Sequence, residues 1–187
     1  MIKDNLDNIL KNLSSNLKKL WQIFFAIGAM GFIASLYHFF SYRPQTKTGS
    51  IPFSKNLDML SFILAIVLAF IILNLKRKYF SKKHIHNTTE NTIQSFRSAS
   101  DQKLMKSVFR VLKQKLLIIW ALGTLIILDG IIYYWIFFDI QNMNIYFFVG
   151  AFSLFLNYPR TELFDEIPWV IRQTRFEMGT KQDEQLE

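Results

Sequence analysis

The sequence predicts an all-α integral membrane protein, a four-helix transmembrane bundle with both termini in the cytosol and amphipathic helices on that face. Three observations predict it. The chain of 187 residues is 51% hydrophobic and 16% aromatic, with 19 Phe, which is too apolar for a soluble domain of this size. Its apolar residues are gathered in four blocks close to the length that crosses a bilayer core, about 20 residues of helix. Its Lys and Arg residues are distributed between the blocks very unevenly.

The first element is an amphipathic helix over residues 1–19. Leu6, Leu10, Leu13 and Leu17, continuing to Leu20 and Phe24, recur at steps of three and four and draw one apolar stripe, with Lys, Asp, Asn and Ser elsewhere. The stripe reads as an interfacial anchor, and as a heptad seam for a partner in its sharper form. Residues 20–158 form the membrane domain, with spans at about 20–42, 57–75, 116–138 and 140–158. The fourth span is the least regular, because its firmly apolar part, Ile145 to Leu156, is 12 residues, a length shared by re-entrant segments. The very short link before it predicts a tight antiparallel hairpin with the third. The first block lacks a small-x-small cleavage site after it and is expected to remain as an anchor.

Orientation follows from the basic residues. The N-terminal segment, the loop 76–115 and the C-terminal segment together hold 19 Lys and Arg, while Arg43, Lys47 and Lys55 are the 3 on the opposite side. The positive-inside rule therefore places both termini and the central loop in the cytosol. The net charge of +8 then reflects topology and contact with anionic lipid, and nucleic-acid binding is not invoked.

The central loop closes on a helix that runs into the third span, capped at Ser100 or Asp101. Lys103, Lys106, Arg110 and Lys113 form a basic face expected to meet lipid headgroups, opposite an apolar face of Leu104, Val108, Val111 and Leu112. His84 and His86 are read as solvated loop residues, since a metal site needs three or four ligands and the others are missing. The Asn12 and Asn87 sequons fall on the cytosolic side and are expected to be inert. Residues 159–187 turn acidic, with 7 Asp and Glu against 4 Lys and Arg. Their apolar residues around Trp169 suggest a docking element broken near Pro168, with a disordered end after about Met178.

The absence of Cys removes disulfides and thiolate chemistry. No membrane-embedded His cluster, catalytic carboxylate pair or nucleotide-binding glycine loop is visible, so catalysis, cofactors and metals are not expected.

The third span holds the candidate polar site, because Asp129 stands near its centre and an ionised carboxylate there is costly, about 3 kcal/mol or more. No span contains Lys or Arg to pair with it. Three readings are open: a protonated acid bonded to Tyr133 or to a serine such as Ser35 or Ser61, a contact with a polar group on another chain, or an ion or proton site involving His38 and the aromatic run Tyr133, Tyr134 and Trp135. Gly28, Gly31 and Ser35 give the first span a thin side for packing within the bundle or against another chain.

The functional expectation is a non-catalytic accessory or assembly subunit of a larger membrane complex. Its partners would be lipids and other membrane subunits. Contacts with those subunits are assigned to Leu6, Leu10, Leu13, Leu17, Gly28, Gly31 and Trp169. A homo-oligomeric ion or proton conductor using Asp129 is the alternative, and a membrane-embedded enzyme ranks behind both. Few Gly beside abundant Lys, Ile, Asn and Phe suggest an AT-rich genome and a bacterial inner membrane.

Overall fold

The computed structural model describes residues 2–43, 54–96 and 99–183, and the described residues are helical almost throughout, with no strand among them. In order they are α1 (Ile2–Tyr42), α2 (Ser54–Tyr79), α3 (Lys82–Ser95), α4 (Asp101–Phe137), α5 (Ile140–Leu156), a 3-10 turn (Thr161–Leu163) and α6 (Glu166–Asp183). Three of them, within α1, α2 and α4, are long and apolar enough to cross a membrane. With 17 residues, or about 25 Å at 1.5 Å per residue, α5 is shorter than a bilayer core.

Two segments that the sequence divides are continuous. The N-terminal stripe and the first apolar block form one helix of 41 residues, because no Pro interrupts them and the first Gly is Gly28. The helix starting at Asp101 likewise runs without a break to Phe137.

The chain divides into two compact units. The first comprises Met1–Lys18, Lys76–Lys115 and Pro159–Glu187. It contains an element that the sequence reading leaves as loop. Ser81 caps α3, its hydroxyl accepting from the His84 amide at 3.3 Å, and Ile85, Thr89 and Ile93 form the buried side. Three residues among Asn, Thr and Lys are too sparse a stripe to announce a helix. His84 and His86 thus lie on a helix rather than a loop, with His86 3.3 Å from Glu90 one turn on.

Pro168 does not break the C-terminal element. It occupies the first turn of α6, where its missing amide donor is not needed, and the helix continues to Asp183, past the predicted start of disorder. Helix α6 packs against α3, Phe164 meets Phe109 at 4.6 Å between ring centroids, and Ile167, Val170 and Ile171 are buried. Arg175 ties the unit together, pairing with Asp101 at 3.0 Å and donating to the Ala99 carbonyl. Lys82 and Glu166 meet at 2.9 Å, and the carboxylate holds the ammonium pKa above its usual range. Both ends of that pair face solvent, so it adds little stability.

The second unit comprises Lys19–Leu75 and Leu116–Tyr158. Helix α4 is its centre: 56% of its most apolar stretch is buried, against 11% for α1 and 17% for α2. Among the described residues of α2, only Ser61, Ala65 and Ile72 are buried, on one narrow line, and much of the rest of that helix presents apolar side chains outward.

Helices α4 and α5 meet through glycine. A Cβ at Gly150 would lie 2.5 Å from Ile127 Cγ1 and 2.7 Å from the Gly123 carbonyl, and one at Gly130 would lie 2.5 Å from Tyr146 Cβ. The turn between them is two residues long, with Phe138 at φ 55° and Asp139 capping α5 through the amides of Gln141 and Asn142. Gly28 and Gly31 of α1 receive the tips of Ile127 and Ile131, so the thin side of that helix is used within the chain. Two indoles complete the unit, Trp21 donating to the Leu154 carbonyl at 2.9 Å and Trp120 to that of Asn157 at 2.8 Å.

Substituting Gly150→Ala should cost about 1–3 kcal/mol, because the added methyl meets backbone. Gly28→Ala should cost less, since its methyl meets the movable end of Ile127 at 2.8 Å. Thermal unfolding in detergent checks the order, and equal losses would contradict a backbone-limited contact between α4 and α5.

Candidate intramembrane polar site

Each of three helices in the second unit contributes polar side chains one turn apart on one side. They are Asp58 and Ser61 on α2, Asp129 and Tyr133 on α4, and Asn142 and Tyr146 on α5. Because α4 runs opposite to α2 and α5, the six fall into two layers. Asp58, Tyr133 and Asn142 lie nearer the α4–α5 turn, and Ser61, Asp129 and Tyr146 lie one turn further in.

In the inner layer, Ser61 Oγ donates to Asp129 Oδ2 at 2.7 Å, and the Tyr146 hydroxyl lies within reach of Ser61. The carboxylate is half-buried, and no described residue bonds its other oxygen, Oδ1. In the outer layer, the Asn142 amide donates to Asp58 Oδ1 at 3.3 Å and to Asp139 Oδ2 at 3.0 Å, joining two half-exposed carboxylates. Tyr133 of the outer layer has its ring 6.2 Å from that of Tyr146 in the inner one. Its hydroxyl is buried beside Asp58 and Asn142 but completes a well-aligned hydrogen bond with neither.

The sequence candidates separate here. The serine that meets Asp129 is Ser61, not Ser35, whose buried hydroxyl donates to Gly31 O of its own helix at 3.0 Å. His38 belongs to another cluster, its Nδ1 2.9 Å from the Tyr134 hydroxyl and its ring 4.6 Å from Trp135 and 5.1 Å from Tyr42. The sequence reading assigns no role to Asp58, Asp139, Asn142 or Tyr146. The four-residue spacing of Asn142 and Tyr146 in an apolar helix was the available signal.

Of the contact residues, Leu10 and Leu17 are buried within the chain and Leu13 is half-buried, while the Leu6 side chain lies outside the described residues. Ser14 and Trp21 share the buried line, which is therefore rotated from the predicted leucine stripe. Trp169 is 56% exposed and Phe176, seven residues on, 74%. Lys103, Lys106, Arg110 and Lys113 are all exposed, and the first three border a cavity of about 350 Å³ floored by Phe96, Ala99, Leu104 and Ser107. Among the described residues no three His, Asp or Glu side chains gather to hold a metal ion.

Family models, curated proteins and solved structures give no match to this chain. The fold and site define an α-helical protein with three helices long and apolar enough for a membrane and a carboxylate inside one of them.

A double-mutant cycle of Ser61→Ala and Asp129→Leu, read by unfolding in detergent, should return a coupling of about 1 kcal/mol, as for other hydrogen bonds between membrane helices. A coupling near zero would contradict the bond.

Proposed function

We propose that the chain is a non-catalytic accessory or assembly subunit of a larger membrane complex, crossing a bacterial inner membrane four times with both termini in the cytosol. One observation carries this reading. Asp129 leaves Oδ1 open on a half-buried side chain, in line with an exposed apolar stripe of α4: Leu125 four residues before it and Ile132 three after. A carboxylate beside such a stripe favours a polar group on a neighbouring helix, because lipid has no donor to give it. The exposed pair Trp169 and Phe176 on α6 offers a second surface suited to protein contact, since Trp is enriched among residues that dominate binding.

The second reading, a homo-oligomeric proton or ion conductor, draws on the two polar layers that lead from Asp58 toward Asp129.

Native mass measurement after mild detergent extraction should find unlike chains at fixed stoichiometry. Asp129→Leu or Trp169→Ala should lower their recovery about ten-fold or more, a loss of about 1.4 kcal/mol each, with membrane leak unchanged. A ring of this chain alone, with ion flux that changes in Asp129→Leu, would overturn the subunit reading in favour of the conductor.

A further inference from the structure

The layers around Asp129 are built from groups with a common property. Ser61, Tyr146 and Tyr133 each carry a hydroxyl that can donate and accept at once, and they stand between carboxylates at either end. Asp58 and Asp139, at the α4–α5 end, are half-exposed, whereas Ser61 is 7%, Tyr146 2% and Tyr133 4% exposed. The Tyr133 hydroxyl is buried beside Asp58 and Asn142 without completing a well-aligned hydrogen bond to either, so it can still both accept and donate.

Beyond Asp129 the buried side chains of α4 are mostly apolar. Toward the start of the apolar part of α4 the buried side chains are Ile127, Ile126, Trp120, Ile119 and Leu116. Thr124, the polar exception, commits its hydroxyl to the Trp120 carbonyl at 3.0 Å and to that of Phe24 at 3.4 Å, and the Trp120 indole is committed to Asn157. None of these relays a proton.

We propose that Asp129 is a proton-binding site loaded from one side only, through the Tyr133, Tyr146 and Ser61 hydroxyls, from the end of the unit that carries Asp58 and Asp139. One proton leaves bulk water at that end, each hydroxyl accepts a proton on one side and gives up its own on the other, and the Asp129 carboxylate becomes a neutral acid. A proton suits the site better than a metal ion. Asp58 and Asp139 already accept from Asn142, and no third carboxylate or histidine joins them into a ligand set among the described residues.

The ionisable groups facing the path are Asp58 from α2, Tyr133 from α4 itself, and Tyr146 from α5 with Asp139 at its cap. Helix α1 brings His38, which is bonded to Tyr134 and not to this path. The inference does not depend on the subunit reading, because a proton site exists in the chain whether or not another protein covers Asp129.

The test uses the full-length chain in phosphatidylethanolamine–phosphatidylglycerol vesicles, sorted to one orientation by a C-terminal tag. Infrared difference spectra follow the carboxylic acid carbonyl band, assigned to Asp129 by its loss in Asp129→Asn. A pH jump on the Asp58 and Asp139 side should change the band, and the same jump on the opposite side should not. Tyr133→Phe should slow the response at least ten-fold, while His38→Gln leaves it unaltered. A band that follows the opposite side, ignores both sides, or responds at the wild-type rate in a Tyr133→Phe protein that unfolds at the wild-type temperature would overturn the proposal.

Discussion

A carboxylate near the middle of an apolar stretch long enough to cross a bilayer has to be satisfied where it stands, because neither lipid nor any Lys or Arg in the apolar helix stretches is there to meet it. The Ser61 to Asp129 hydrogen bond at 2.7 Å is the chain's answer, and it constrains much of the second unit. It requires α2 to approach α4 at that level, which the small residue Ala65, one turn beyond Ser61 and buried with it, permits. It also benefits from α5 lying close enough for Tyr146 to reach Ser61, and the glycines supply that closeness. Any side chain at Gly130 would collide with Tyr146, and any at Gly150 with the backbone at Gly123. Polar satisfaction and small-residue packing are thus coupled in this bundle: one sets which helices must meet, the other how closely they can.

The first unit is stabilised differently. Its helices bury apolar residues together as aliphatic and aromatic contacts such as Phe109 with Phe164. Charges serve there as fasteners at the edges. Arg175 is the clearest, holding both the first residue of α4 and the carbonyl of Ala99 just before it, so that the start of α4 and the side of α6 are joined through one planar group with several donors.

Much of this was legible in the residues. Long apolar blocks announce helices whatever packs against them, and the three long ones stand where hydropathy puts them. The short link after Phe138 announced a tight turn, which a left-handed φ and an aspartate cap deliver. The features not legible in the sequence depend on neighbours. Hydropathy treats Asn142 and Tyr146 as minor interruptions of an apolar helix, and only the antiparallel approach of α2 and α4 turns them into partners for Asp58 and Ser61. The leucine stripe of α1 missed Ser14 and Trp21, because burial on a long helix follows the surface it faces, including the Leu154 carbonyl that receives the Trp21 indole. Helix α3 is hard to read from sequence for a related reason: its stability rests on α6, with seventy residues between them, more than on its own composition.

The polar path and the open side of Asp129 acquire a direction only through topology, and there the length of α5 decides. If its 17 residues cross, and the N-terminus is cytosolic as proposed, the α4–α5 turn faces the outside and the start of α6 returns to the cytosol. Because the chain contains no Cys, single cysteines at the exposed positions 102, 141 and 162 can be probed in intact cells with a membrane-impermeant thiol reagent. Labelling is expected at 141 from the outside, with 102 and 162 reacting only after the membrane is opened. Labelling of 162 together with 141 would show that α5 turns back without crossing and would contradict the four-span bundle.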